Sequence, residues 1–393
     1  MKRLYRYIAG EITVPFFLSL FVFTFVLLLD RIMKLVEMVI GRGVGLADIG
    51  KLFIYILPSF LTLTIPMSFL LAVLLAFGRL SSDSEVIAMK ASGVSLYQML
   101  IPVSILSILA YGMTFYLTLY ALPWGNQSFR SKVFDIARAK ASAGIKERVF
   151  NDDFDGIVLY IDRLKGGDME GVLIYDRREK DGYTIFAREG GIISDPKTMT
   201  VTMRLREGEI HKTGKDLSYS KVAFSTYDLR VNFRGSATGS RGEVSKGDRE
   251  MTISELSMKV AELKGKGENY KPYQVEIYKK FSIPFACIIF GLIGAPLGIQ
   301  SRRSGRGFGF SMSLAIFLIY YISLTGGESL GDRGIIPPFL AMWGINFIFL
   351  TIGIYFIIKT AGESPIVVSA WLDQAGDLLT RLVIKLGRAQ RNG

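Results

Sequence analysis

Hydrophobic residues along this chain fall into long uninterrupted runs separated by polar stretches. At about 1.5 Å per residue, a helix of about 17–25 apolar residues crosses a hydrocarbon core of about 30 Å. Six runs meet this length: Ile12–Leu29, Leu52–Phe77, Met99–Leu122, Phe281–Ile299, Phe308–Leu324 and Ile335–Ile358. We therefore predict six transmembrane helices, three before and three after a polar middle, in an α-helical membrane protein.

The polar middle, from Trp124 to Tyr270, shows short alternating segments punctuated by turn residues such as those of Lys165–Asp168. The candidate strands are Gly156–Asp162, Gly171–Asp176, Tyr183–Arg188, Gly190–Ser194, Thr200–Arg206, Glu207–His211, Lys221–Phe224 and Thr226–Phe233. Regular short strands of this kind predict an inserted all-β domain, an antiparallel sandwich or open barrel. A flexible loop at Ser236–Glu250 and a short amphipathic helix at Thr252–Leu263 would lead back to the fourth span.

These patterns divide the chain into five parts. They are residues 1–123 with spans one to three, 124–250 with the β domain, 251–270 with the return helix, 271–360 with spans four to six, and 361–393. The last part carries large apolar residues at helical spacing, from Val368 to Leu386, beside Arg381, Lys385 and Arg388. We predict that it forms an amphipathic helix at the membrane surface.

The charge distribution predicts the orientation of the spans. The net charge is +12, and most basic flanks lie on the side that carries both termini. Short cytoplasmic segments are enriched in Lys and Arg, so both termini are expected in the cytoplasm and the β domain outside it. Cytoplasmic flanks beside anionic lipid account for much of the excess, and nucleic-acid binding is disfavoured.

Catalytic and metal-binding patterns are absent from the sequence. It contains no G-x-x-x-x-G-K-[ST] phosphate loop, so any ATP must be used by a partner. The single histidine, His211, cannot form a His-rich metal site, and the single cysteine, Cys287, cannot form an intrachain disulfide. We predict a non-catalytic chain that binds no cofactor or metal of its own.

Charged residues are absent from all six apolar runs as bounded above. Ion-coupled carriers place such groups at membrane depth, so a secondary transporter of polar solutes is disfavoured. An apolar interior suits an apolar cargo such as lipid tails, although a plain anchor bundle would look the same. Small residues at Gly291, Gly294, Ala295 and Gly298 permit close helix packing, either within the chain or between subunits.

A short helix is predicted between spans two and three. Ser82 and Glu85 fit a capping box, Gly93 offers a left-handed stop, and Ser95 with Gln98 forms a second box. The helix is either a connector at the lipid headgroups or a peg that docks into a cytoplasmic motor. In the second interpretation Asp83 and Glu85 contact the partner and Met89 fills a groove, with Val86 and Lys90 beside them.

The segment GRLSSDSEVIAMKASGVS, Gly78–Ser95, resembles the coupling-helix segment of the lipopolysaccharide-export permease family, LptF/LptG. The resemblance continues through an N-terminal RYIAGE, LLDRIMKLVE at the exit of span one, and YKKFSIPFACIIFGLIGAPLG in span four. It covers nearly the whole chain, and the form of the span-one exit and of the coupling-helix segment looks more like the F-type subunit.

The resemblance implies a permease that pairs with a second LptF/LptG-type permease around a cavity in the bacterial inner membrane. Two copies of a cytoplasmic ATPase (LptB-type) would bind Mg-ATP and pull on coupling residues Asp83, Glu85, Val86, Met89 and Lys90. Lipopolysaccharide would enter between the first and fifth spans. The insert would be a periplasmic β-jellyroll that passes lipid to bridge proteins (LptC/LptA-type).

Arg31 and Lys34, three residues apart where span one leaves the membrane, are candidate ligands for lipid phosphates. Alternatively they are ordinary anchors paired with Asp30 or Glu37.

Two other functions remain open for the chain. One is an envelope scaffold or receptor without transport, and the other is a permease of another lipid- or lipoprotein-exporting system, although those place a large external domain after the first span.

Overall fold

A computed structural model describes residues 1–42, 45–143, 146–154, 156–165, 168–178, 182–195, 200–213, 219–231, 247–300 and 307–362. The predicted C-terminal amphipathic helix and most of the predicted loop at Ser236–Glu250 lie outside these residues. The chain divides into two compact units. One holds most of the membrane helices, and the other holds the sheet with most of the helix that precedes it.

The six predicted spans are confirmed as helices long and apolar enough to cross a membrane. The helices are α1 (Lys2–Arg42), α2 (Leu46–Ser82), α3 (Glu85–Ala91), α4 (Leu96–Tyr116), α5 (Leu122–Ala143), α6 (Ile253–Lys266), α7 (Lys271–Gln300), α8 (Gly307–Asp332) and α9 (Pro338–Ala361). A π-helical turn, Leu117–Ala121, joins α4 to α5, so the third span continues as one helix to Ala143. The predicted return helix is α6, with Thr252 and Glu255 forming a capping box.

Helices α2 and α7 form the centre of the helical unit, whereas α1 and α8 are mostly exposed. The two central helices approach closely because glycines of α7 face α2 and α4. A β carbon at Gly294 would lie 3.1 Å from Val73, and one at Gly291 would collide with Ser107 of α4. The small residues of span four therefore pack within the chain, which decides between the two alternatives that the sequence left open.

The helices extend beyond the apolar runs, and the extensions carry charges. Helix α7 begins ten residues before Phe281 and includes Glu276, Lys279 and Lys280, and α8 includes Glu328. The fourth and fifth runs are thus only parts of longer helices, whereas the sixth run was predicted to begin at Ile335 and its helix, α9, begins at Pro338 because Pro337 caps it. Most of these charged side chains are tolerated because they pair with one another near the helix ends.

The inserted domain is all-β, as predicted. Its strands are β1 (Asn151–Phe154), β2 (Ile157–Lys165), β3 (Asp168–Asp176), β4 (Tyr183–Asp195), β5 (Thr200–Thr213) and β6 (Tyr219–Val231). They form one antiparallel sheet in chain order, with β1 and β6 at its edges. The short strand β1 was not predicted, because NDDF has no apolar alternation.

A crease crosses this sheet. The ladders between β2 and β6 skip one residue in each strand, and the skipped residues form a row: Asp162, Gly171, Arg188, Glu207 and Ser225. Gly171 and Glu207 adopt positive φ angles of 64° and 53°. Each of these strands has one residue in this row that is not part of the ladder. Because the unpaired residues lie opposite one another, the strands keep the same register before and after the row. The sheet bends at the row, as it would at a line of β-bulges.

The strands β4, β5 and β6 were each predicted as two separate strands, and the crease explains why. In β5, Met203 and Leu205 are buried before the crease, and the inward positions after it are Gly208 and Ile210. The phase of the alternation shifts by one residue at Glu207. The sequence prediction ended strands at Arg188, Arg206 and Phe224, each within one residue of the crease, because a phase shift looks like a strand end.

The two halves of the folded sheet share one apolar core. It contains Leu159, Ile174 and Ile185 from one side of the crease and Met203 and Leu205 from the other. One folded sheet thus supplies the two packed layers that the sequence pattern assigned to a sandwich or open barrel.

A buried carboxylate holds the two layers together at the end away from the crease. Asp176 is buried and accepts hydrogen bonds from the Arg178 side chain and from Tyr183 Oη, the latter at 2.9 Å. Arg178 Nη1 also donates to the carbonyl oxygen of Arg230 on β6, at 2.8 Å. Burial raises the pKa of Asp176, but the hydrogen bonds from Arg178 and Tyr183 outweigh burial and hold that pKa below its ordinary value.

Candidate functional site

The short helix α3 lies between α2 and α4, where the sequence predicted it, but it begins differently. Ser82 is still part of α2 and donates a hydrogen bond to the carbonyl oxygen of Arg79. The N-cap is Ser84, with φ of 60° and no side-chain cap. The predicted Ser82–Glu85 capping box is therefore wrong, because α2 continues through Ser82 and leaves that residue helical.

The end of α3 and the start of α4 match the prediction. Gly93 has a φ of 82°, the left-handed conformation that glycine adopts without strain. Ser95 accepts a hydrogen bond from the backbone N–H of Gln98, whose side chain accepts one from the backbone N–H of Ser95. This second capping box is confirmed, and it fixes where α4 begins.

One side of α3 is packed into the bundle. Val86 is 1% exposed and belongs to the same apolar cluster as Ile8 and Ile12 of α1. Met89 is half-buried against that cluster. These two residues anchor α3 to its own chain, so Val86 is not available for contact with a partner.

The polar side of α3 is engaged with α1 and α2. Glu85 accepts hydrogen bonds from Tyr7 Oη at 2.8 and 3.1 Å. Arg79 of α2 lies 3.0 Å from Glu11 and 3.8 Å from Asp83. The cluster thus joins three helices at the end of the bundle that carries α3.

The remaining side of α3 is exposed. Ser84, Ile87, Ala88 and Ala91 follow helical spacing on this face, and Ile87 is 43% exposed. The Asp83 side chain, just before the helix, is 53% exposed. An exposed isoleucine among small residues, with a carboxylate beside it, is suited to insertion into a groove of another protein.

The five predicted coupling residues therefore have different surroundings. Asp83 is exposed, Glu85 and Lys90 are half-buried, Met89 is half-buried against the core, and Val86 is buried. Sequence reasoning missed Ile87 and Tyr7. No local signal shows that Ile87 and not Val86 is the exposed residue, and none pairs Tyr7 with a residue 78 positions away.

The second predicted site lies at the far end of α1. Arg31 is exposed on this helix. Lys34 is also part of α1, three residues on, but its side chain lies outside the described residues, as does that of Asp30. The helix therefore continues through both candidate phosphate ligands, and their three-residue spacing places them on neighbouring positions of its surface.

A charged cluster that the sequence analysis missed lies at the start of α7. Lys279 Nζ is 2.5 Å from Glu328 of α8 and 3.5 Å from Glu276, and Arg249 approaches Glu328 at 3.4 Å. The neighbouring Lys280 is buried, and its amine has no hydrogen-bond partner within the part of the chain that the structure describes. The sequence shows Lys279 and Lys280 just before the apolar run at Phe281, but it does not show that Lys279 pairs with Glu328, 49 residues away.

The sheet offers a long edge. Strand β6 spans Tyr219–Val231 and has no neighbour on its outer side among the described strands. Its exposed residues include Tyr219 and Val222. An unpaired edge of this length is a template for pairing with a strand of another chain.

Comparison with known proteins identifies the family. Residues 6–359 match the model of the family described as lipopolysaccharide export system permease LptF/LptG. The chain is 20% identical to the permease protein LptF of Escherichia coli (strain K12) over 356 residues, 89% of this chain and 93% of that protein. It is 24% identical to LptG of the same organism over 319 residues, 78% of this chain and 86% of that protein.

A further relative is an uncharacterized protein of Rickettsia prowazekii (strain Madrid E), 24% identical over 234 residues. That match covers 59% of this chain and spans 64% of the length of the Rickettsia protein. The family match, by contrast, includes both groups of membrane helices and the β insert. The chain therefore belongs to the lipopolysaccharide export permease family LptF/LptG.

Proposed function

We propose that this chain is the non-catalytic permease subunit of an ATP-driven exporter that extracts lipopolysaccharide from the inner membrane. The family match over residues 6–359 carries this proposal. The six membrane helices and the inserted sheet agree with it, because they offer a membrane path and an external platform in one chain. The match to LptF covers more of the chain than the match to LptG, which favours the F-type subunit.

The energy for export would come from a separate cytoplasmic ATPase of the LptB type, bound as a dimer with Mg-ATP. The chain has no phosphate loop of its own. The exposed face of α3 is the docking surface in this proposal, with Ile87 entering a groove and Asp83 at its rim. Val86 and Met89 hold α3 to the bundle, so that a force applied at this face reaches the membrane helices.

A second LptF/LptG-type permease would complete the membrane part. Helix α1 exposes Val14, Phe17, Leu18 and Phe21, and α8 exposes Ile319 and Ile322. Such apolar surfaces suit lipid or another membrane helix. The first and fifth spans, α1 and α8, are then the sides of the opening through which lipid enters the cavity between the two permeases.

The lipid phosphates would bind beside the far end of α1. Arg31 is exposed there, and Lys34 follows one turn later. Guanidinium and ammonium groups form charge-assisted hydrogen bonds with phosphate, so they would orient the headgroup before extraction. The β insert would receive the lipid on the periplasmic side and pass it to bridge proteins of the LptC/LptA type, with β6 as the pairing edge.

Reconstitution tests the proposal. The chain is combined in vesicles with an LptG-type permease and an LptB-type ATPase, and ATP-dependent release of lipopolysaccharide to a soluble acceptor is measured. Ile87→Glu should reduce lipid-stimulated ATP turnover and co-purification of the ATPase, because it places a charge in the docking face. Met258→Glu is the matched control, since Met258 is 64% exposed on α6.

The alternative function, an envelope scaffold without transport, predicts different results. The chain would then purify without an ATPase, and vesicles containing the three components would release no lipid on addition of ATP.

For the phosphate site, Arg31→Glu should weaken photo-crosslinking of lipopolysaccharide to α1. Unchanged crosslinking would mean that Arg31 is an ordinary membrane anchor.

A further inference from the structure

The hydroxyl group of Tyr7 connects three helices. It donates to the Glu85 carboxylate of α3 at 2.8 Å and accepts from Arg79 Nη2 of α2 at 3.3 Å. Tyr7 itself belongs to α1. Within this arrangement one oxygen atom links the start of the first span to the end of the second span and to the short helix between spans two and three.

Apolar packing supports the same junction. Ile8 and Ile12 of α1 are buried in one cluster with Val86 of α3 and Leu80 of α2. Glu11, one turn after Tyr7, pairs with Arg79. Helix α1 is thus attached to α3 by an apolar contact and a hydrogen bond within its first three turns.

Farther along, α1 contacts α2 along one side, where Ser19, Phe23 and Thr24 are buried. Its polar contacts to α2 in the described residues include Ser19 Oγ to the carbonyl oxygen of Ser68 at 3.3 Å and Thr24 to Thr64 at 3.1 Å. Most of its surface is exposed, with Val14 at 72%. Because α1 is packed on one side and exposed on the other, movement of its first turns can tilt the rest of the helix.

We propose that Tyr7 is a positioning residue that transmits movement of α3 to α1. This inference rests on the proposed function, in which an ATPase displaces α3. When α3 moves, the hydrogen bond from Tyr7 to Glu85 moves the first turns of α1 with it. The hydrogen bond from Arg79 holds the same hydroxyl group next to α2. The exposed part of α1 then shifts and alters the opening for lipid.

Tyr7→Phe tests this role because it removes the hydroxyl and leaves the ring. In vesicles containing the full complex, the amount of lipopolysaccharide released per ATP hydrolysed should fall about threefold to tenfold, as for loss of a typical hydrogen bond. ATP hydrolysis and co-purification of the ATPase should remain. Tyr5→Phe is the matched control, since Tyr5 lies on α1 and its hydroxyl makes no hydrogen bond to the described part of the chain.

The outcomes for Tyr7→Phe and for the wild-type complex separate the two proposals. Unchanged release per ATP in Tyr7→Phe would overturn the role of Tyr7, while the wild-type complex still demonstrates export. Loss of complex assembly in Tyr7→Phe would also overturn it, because the contact would then maintain the fold and not transmit movement. Absence of release from the wild-type complex would reject the proposed function itself.

A distance measurement reports on the movement directly. Spin labels are placed at Val14 of α1 and Ile105 of α4, both exposed, while the Cys287 thiol is buried and inaccessible to the label. In the wild-type complex, the distance between the labels should change between the nucleotide-free and ATP-bound states. Tyr7→Phe should abolish that change, and an unaltered change would contradict transmission through Tyr7.

Discussion

Gly298 of α7 lies directly against Phe77 of α2. A β carbon at position 298 would be 2.8 Å from the Cβ of Phe77 and 3.0 Å from the carbonyl oxygen of Leu74. We expect Gly298→Ala to force the two central helices apart and to destabilise the protein by about 1–3 kcal/mol, as overpacking does. Thermal unfolding of the purified chain in detergent measures the effect.

Gly112→Ala is the control for this prediction. Gly112 lies in α4, and a β carbon there would meet nothing within 4 Å. Alanine favours a helix over glycine by up to about 1 kcal/mol, so this variant should be neutral or slightly more stable. Equal effects of the two substitutions would contradict close packing at Gly298.

The crease of the sheet depends on Gly208. A β carbon at this position would collide with the carbonyl oxygen of Phe186 and with the Phe224 ring. Gly208→Ala should therefore loosen β5 from its neighbours, which faster amide hydrogen exchange in β4 to β6 would reveal. Gly191→Ala, where the nearest atom is Asp168 Oδ1 at 3.4 Å, should leave exchange nearly unchanged.

Adjacent lysines of α7 should respond in opposite ways to the same substitution. Lys279→Met leaves Glu328 without its 2.5 Å partner and should lower the thermal stability of the protein in detergent. Lys280→Met removes a buried amine that has no hydrogen-bond partner in the described part of the chain, and it should be neutral or stabilising. Greater destabilisation by Lys280→Met would show that this amine has a partner of its own.

Acid should weaken the β insert through Asp176. Its pKa lies below the ordinary value, so its hydrogen bonds contribute stability that is present above about pH 4 and lost as the pH falls through the lowered pKa. Asp176→Asn should cost about 1.5–3 kcal/mol at neutral pH. It should also flatten the dependence of hydrogen exchange in β3 and β4 on acid pH, whereas an unchanged dependence would exclude Asp176 as its source.

Much of the architecture was predictable because it depends on patterns of residues close together in the sequence. Six apolar runs predicted six membrane helices, and alternation with turn residues predicted an all-β insert. The second capping box, at Ser95 and Gln98, was also predictable, since both of its partners lie within four residues. The Ser82 box failed because nothing local shows that α2 continues through Ser82.

The candidate site was predictable only in part. The sequence placed a short polar helix between spans two and three, but it could not distinguish buried Val86 from exposed Ile87 without the position of α1. The crease shows the same limit in the sheet. The sequence recorded the phase shift at Glu207, and only strand pairing showed that the shift continues across neighbouring strands.

By itself, the sequence determined which segments are apolar enough to enter the membrane, which form strands, and that the chain carries no phosphate loop. These properties follow from hydrophobicity, alternation and residue spacing, all of which act over short distances along the chain. The tertiary structure alone decided that Tyr7 meets Glu85, that Gly298 meets Phe77, and that Lys279 pairs with Glu328. Such contacts join residues far apart in sequence, and they arise only when packing of the apolar faces brings distant helices together.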